Sequence, residues 1–143
     1  ASESTRYWNG PFIWPIKSDL TSPFGNKRVY NGQMKSFHQG LDLRAPVGTP
    51  IMAGGTGKVV LAKDLYFTGN TVIMDHGLGL FTIYAHMSKL NVKKGQIVSQ
   101  GQLIGLAGAT GRASGPHLHW GAVLQRLKFN PENLIRVLDK TDS

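Results

Sequence analysis

The sequence predicts a mainly β fold: a small antiparallel, sandwich-like sheet domain with one short C-terminal helix. Three observations support this. Eighteen glycines are spread through 143 residues with short apolar stretches between them, a pattern of many strands joined by tight turns. Several of those stretches alternate apolar and polar residues, the two-residue period of a half-buried strand. No stretch before the last fifteen residues carries sustained helical periodicity.

The candidate strands are Gly57 to Ala62, Thr71 to Met74, Leu80 to His86 and His117 to Leu124. The helix comes late. Asn130 can cap it, Pro131 suits its first position, and Leu134, Ile135 and Leu138 fall on one face, so it should run to about Leu138 and pack on the edge of the sheet. One internal echo stands out at an offset of 47 residues: Gly48, Ile51 and Gly54 match Gly95, Val98 and Gly101. Two copies are too few for a solenoid and point to two similar glycine-turned hairpins in one sheet.

A chain of 143 residues fits one domain, residues 1–143, with 1–10 and 139–143 as extensions. Hydrophobic residues at 41% and charged residues at 17% describe a folded, soluble domain. No apolar run approaches the roughly 20 residues of a membrane span, and Ala1 to Tyr7 lacks a signal-peptide pattern. There is no cysteine, which excludes thiol catalysis, disulfides and zinc–thiolate sites; a transition-metal site would be built from His, Asp, Glu and solvent. The net charge of +8 favours a polyanionic partner. Its basic residues are dispersed and not interleaved with aromatics, so nucleic acid is not the expected partner.

The five histidines carry the chemistry. A lone histidine is more often a structural or surface residue than a ligand, and grouping changes those odds. In "GPHLHW", His117 and His119 share one strand face while Leu118 and Trp120 point to the other. In "FHQGLDL", read as extended, His38, Gly40 and Asp42 share a face, and the glycine leaves space beside them. In "LFTIYAHMSKL", Phe81, Ile83, Ala85 and Met87 point one way and Thr82, Tyr84 and His86 the other, placing His86 on a polar face. His76, beside Asp75 and before a glycine, reads as a hydrogen-bonded turn residue.

Only eight acids are present and none forms a His-Glu-x-x-His motif, so a metallohydrolase here has no glutamate base beside its ligands. A spare histidine would take that role. Three ligands drawn from His38, Asp42 and one of His117 and His119 would leave a zinc position open for water. No Gly-x-Ser-x-Gly elbow supports a serine hydrolase.

The segments "FHQGLDLRAPVGTPIMA", "GNTVIMDHGLGLFTIYAHM", "KGQIVSQGQLIGLAGATG" and "GPHLHW", in this order, resemble the LytM/lysostaphin-type zinc endopeptidases (duplicated hybrid motif) that cut peptidoglycan. With the upstream "FIWPIKSDLTSPFGNKR", the likeness covers most of residues 12 to 132. The resemblance implies zinc as cofactor, with His38, Asp42 and His119 as its ligands and His86 and His117 as the catalytic histidines. It also implies an antiparallel β domain with a groove over the metal, peptidoglycan peptide cross-links as substrate and an extracytoplasmic location. The expected assembly is a monomer, or a domain regulated by another cell-envelope protein. Two other uses share these residues: a non-catalytic wall-binding or regulatory module on the same scaffold, and a phosphohistidine carrier. The complete five-residue set opposes the first, and Asp42 beside paired histidines suits a metal better than phosphotransfer.

Overall fold

The structure, a computed structural model, describes residues 6–16, 40–111 and 115–135. Among the described residues, nine strands follow in chain order: β1 (Leu41–Arg44), β2 (Pro50–Met52), β3 (Gly57–Leu65), β4 (Gly69–Gly77), β5 (Leu80–Leu90), β6 (Ile97–Val98), β7 (Leu103–Ala107), β8 (His117–Leu124) and β9 (Leu127–Phe129). The sheet order is β1-β8-β5-β4-β3-β6, with β7 pairing both β2 and β5, and β9 pairing β8. Every pairing is antiparallel, as the glycine-punctuated strands predict.

The two glycine echoes do not close separate hairpins. Each makes the same turn: Thr49 N–H donates to Pro46 O and Gln96 N–H to Lys93 O, with Gly48 and Gly95 at φ of +95° and +96°. Each turn then pairs with the strand that follows the other copy. Gly48 and Thr49 exchange backbone bonds with Ala107 of β7, while Gly95 and Gln96 exchange them with Val59 of β3. Ile51 and Val98, the matched apolar residues, are both fully buried. The similarity is that of two partner-exchanging units, a long-range relation that local spacing does not encode.

One face of the β5–β8 pair builds the core. Directly paired residues of antiparallel strands project to the same side, so Tyr84 with Trp120 and Thr82 with Ala122 point inward together and are buried. Leu43, Ile51, Val59, Val72, Met74, Met87, Ile104 and Leu118 complete the main cluster. Thus the Thr82/Tyr84 face, expected to be the polar one of β5, is the buried one, while Phe81 and Ile83 are only half-buried.

Its Thr82 and Tyr84 hydroxyls are satisfied internally, together with His76. His76 sits at the end of β4, fully buried rather than in the turn. Thr56 O can only accept, so His76 Nδ1–H donates to it at 2.8 Å and Nε2 is left to accept from the Thr82 hydroxyl at 2.7 Å. Thr82 Oγ1 in turn lies 3.0 Å from Tyr84 OH, which accepts the Gly54 N–H. Burial pushes the His76 imidazole down to about 4 and the Tyr84 phenol up.

The late helix begins as expected: Asn130 Oδ1 accepts the Glu132 N–H, residues 132–135 are helical, and Leu134 packs with Phe12, Leu80 and Ala122. Leu138, its expected end, lies outside the described residues. Among the described residues no helix is long and apolar enough to cross a membrane.

Candidate active site

The face of the sheet opposite the core carries the ionisable cluster. Pairing of β1 with β8 sets Asp42 opposite His119 and Arg44 opposite His117. Leu118 and Trp120, the alternate residues of β8, are fully buried as their spacing predicts, leaving His117 and His119 half-buried on the other side. His119 Nδ1 is 2.9 Å from Asp42 Oδ1, and His117 Nε2 is 3.6 Å from the same oxygen. Gly40 is needed because backbone, not open space, lies beside it: a Cβ there would sit 2.5 Å from Trp120 O and 3.1 Å from His119 Nε2.

His86 reaches this face by a backbone irregularity. Unbroken alternation would point it inward with Thr82 and Tyr84. Between Val72↔Tyr84 and Asn70↔Met87 the register shifts, so Ala85 and His86 together face Thr71 alone, and His86 adopts a left-handed φ of +63°. Its ring centroid then lies 4.9 Å from that of His117 and 6.4 Å from that of His119.

Two loops hold it there. His86 N–H donates to Thr68 O at 2.7 Å, and His86 Nδ1–H donates to Thr110 O at 2.7 Å. The Thr110 hydroxyl accepts the Asn70 N–H at 3.0 Å and donates to Met87 O at 2.7 Å, fixing the loop that carries the accepting carbonyl. His117 is held in the same manner, with Nδ1–H donating to Gly115 O at 2.8 Å. In both rings the accepting carbonyl places a proton on Nδ1, and in neutral His86 this leaves Nε2 as the acceptor nitrogen. The Thr68 and Thr110 contacts are made by main-chain carbonyls and leave no side-chain signal in the sequence.

The electrostatics follow from this grouping. Burial raises the Asp42 carboxyl, but the His119 hydrogen bond and the adjacent His119, His117 and His86 rings outweigh it and hold the group below the ordinary carboxylate range. Burial pushes His86 down and its two histidine neighbours add to this, against the opposing Thr110 carbonyl. A neutral ring whose Nε2 can accept a proton results.

Of the five sequence-derived site residues, Asp42, His86, His117 and His119 come together. His38 lies outside the described residues. Among the described residues no group of three or more His, Asp or Glu side chains is arranged to hold a metal ion. The donors present, one carboxylate oxygen and imidazole nitrogens without thiols, are of the kind that zinc accepts.

The model of Peptidase family M23 matches residues 36–131, a span that contains all five of these residues. The chain belongs to Peptidase family M23. It is 48% identical over 120 residues to peptidoglycan DD-endopeptidase ShyA of Vibrio cholerae, covering 82% of this chain and 28% of ShyA. The chain thus spans little more than a quarter of that relative's length. The fold is that of solved M23-like structures. The catalytic domain of the antimicrobial peptidase lysostaphin from Staphylococcus simulans aligns with a TM-score of 0.65 at 30% identity, over 89% of each chain. A zinc-containing peptidase from Vibrio cholerae aligns with a TM-score of 0.64 at 40% identity, over 66% of this chain and 29% of that one.

Proposed function

We propose that residues 1–143 form a zinc-dependent endopeptidase domain that hydrolyses peptide cross-links of bacterial peptidoglycan outside the cytoplasm. The observation that carries this reading is the meeting of Asp42, His119, His117 and His86 on one sheet face, with His86 and His117 each anchored through Nδ1 to a backbone carbonyl. Membership of family M23 and the names of ShyA and the zinc-containing peptidase support it.

In this reading His38, Asp42 and His119 hold zinc, and His86 and His117 handle protons. Bound zinc supplies a Lewis acid for the scissile carbonyl and lowers the pKa of its water. Asp42 and His119 are placed for their task by the rigid β1–β8 pairing rather than by a loop. His86 is neutral and locked as its Nδ1–H tautomer, so Nε2 accepts a proton from the attacking water and returns it to the leaving amine. His117, held on the same face beside Asp42, would steady negative charge developing on the carbonyl oxygen. The basic surface suits an anionic wall polymer.

The test is digestion of purified peptidoglycan with fragments identified by mass spectrometry. Conversion of cross-linked dimers into uncross-linked stems that still carry their sugars, lost on chelation and restored by zinc, is the expected result. Undiminished cleavage by metal-free protein would overturn the reading, and binding to the polymer without cleavage would favour the non-catalytic module.

A further inference from the structure

The β3–β4 hairpin carries two large aromatic side chains at its tip. Tyr66 is 73% exposed and Phe67 65%, and their rings meet edge to face, with centroids 4.8 Å apart and planes at 81°. Scattered single apolar residues on a surface are ordinary, but two adjoining aromatics beside a reactive cluster form a patch. The next residue along, Thr68, supplies the carbonyl that accepts the His86 N–H. The pair is thereby tied through the backbone to the bulge that positions His86.

The tip is also rigid. A Cβ on Gly69 would fall 2.3 Å from Thr110 Oγ1, and one on Gly111 would fall 2.4 Å from Gly69 N and 2.7 Å from Phe67 O, so the two loops are packed backbone to backbone. A fixed aromatic corner costs little further ordering when it meets a ligand.

We propose that Tyr66 and Phe67 form a saccharide platform that engages the glycan strand of the substrate while its stem peptide lies over the histidine cluster. This rests on the peptidoglycan reading above. Chemistry favours sugar over peptide as the occupant. Stem peptides offer mostly small and acidic side chains, whereas pyranose rings offer flat rows of C–H groups that suit the electron-rich face of an aromatic ring. Length agrees. Bond lengths put the Phe67 and His86 Cα atoms at most about 11 Å apart, and an extended stem of about four residues reaches about 14 Å. A sugar at the head of a stem can therefore meet the hairpin tip while the stem's other end lies at His86.

The test compares two substrates: a cross-linked dimer still carrying its disaccharides, and the same dimer with the sugars removed by an amidase. In Tyr66→Ser/Phe67→Ser the ratio of kcat/KM for the sugar-bearing dimer to that for the bare dimer should fall roughly tenfold, mainly through KM. Leu127→Ser, on β9, should leave the ratio unchanged, and Tyr66→Phe/Phe67→Tyr should restore most of it. An unchanged ratio in the double serine variant overturns the proposal, whether both substrates suffer equally or neither does. A second readout does not depend on hydrolysis: titration with a tetrasaccharide of N-acetylglucosamine should shift the NMR resonances of Tyr66 and Phe67. Shifts at these residues without any cleavage would sink the endopeptidase reading and leave the platform standing. Cleavage without shifts would do the reverse.

Discussion

Asp42 Oδ1 and His119 Nδ1 lie 2.9 Å apart across the β1–β8 pairing, a carboxylate and an imidazole brought together by strand register from positions 77 residues apart. If these atoms hold the metal, Asp42→Ala and His119→Ala should each abolish both zinc content and cleavage. His117→Ala should keep most of the zinc and lose at least about a hundredfold in kcat, the usual contribution of a positioned proton-transfer group. Metal analysis beside turnover measurements separates the two classes. Full zinc content in His119→Ala would remove that residue from the ligand set.

Thr110 tests how His86 is aimed. Its hydroxyl bridges Asn70 N–H and Met87 O, and its carbonyl accepts from the His86 ring. Thr110→Val leaves that bridge unmade, which should cost about 1–3 kcal/mol of stability. It should also lower kcat more than it changes KM, with zinc content intact, whereas Thr110→Ser should recover both. Urea unfolding and steady-state kinetics on the same preparations check this. A stability loss without any kcat loss would make Thr110 structural only.

The four candidate strands, which fall on β3, β4, β5 and β8, and the faces of β8 were legible because period-two alternation is local: His117 to Leu124 appears with the predicted bounds and the predicted buried pair, Leu118 and Trp120. The start of the helix was legible for the same reason, since Asn130 and Pro131 act on their immediate neighbours. Long-range and backbone-borne features were not legible. Alternation assigns the wrong inside to β5 because a His76–Thr82–Tyr84 hydrogen-bond chain makes a polar face buriable. It also misses how His86 leaves that face, because a bulge adds a residue without any glycine to announce it. The echo of glycines around 48 and 95 was visible, but its exchange of partners needed the closed sheet.

His76 sets a pH dependence of stability. Its folded pKa of about 4 lies below the ordinary histidine value of 6.5, because burial disfavours the charged ring. Between those values the unfolded chain binds more protons than the folded one, so stability rises with pH across the window and falls as the pH drops from 6.5 towards 4. The full difference is on the order of 3 kcal/mol. The Phe12 ring packs edge-on at 4.8 Å and offers a proton no compensation, while Asp75 opposes the effect only in part. His76→Gln should be less stable at pH 7 but show a visibly flatter loss of urea midpoint between pH 6.5 and 4.5. Parallel curves for the two proteins would assign the acid sensitivity elsewhere.

The β8–β9 hairpin turns on Gln125 and Arg126 at φ of +51° and +72°, a two-residue loop between the paired residues Leu124 and Leu127. Both central residues of such a turn favour Asn or Gly, because a Cβ in the left-handed region costs about 1–2 kcal/mol. Gln125 has compensation: its N–H donates to Gly79 O and its side-chain amide to Leu78 O. Arg126 is exposed, so glycine should suit that position better. Relief of the strain exceeds the added unfolded-state freedom of glycine by about 0.5–1 kcal/mol. Arg126→Gly should therefore raise the Tm by about 2–4 °C. Arg126→Val should lower it, since a β-branched side chain tolerates positive φ least. Thermal unfolding of the two variants beside the parent decides the matter, and a lower Tm for Arg126→Gly would mean that the arginine side chain contributes more to the folded state than its backbone strain costs.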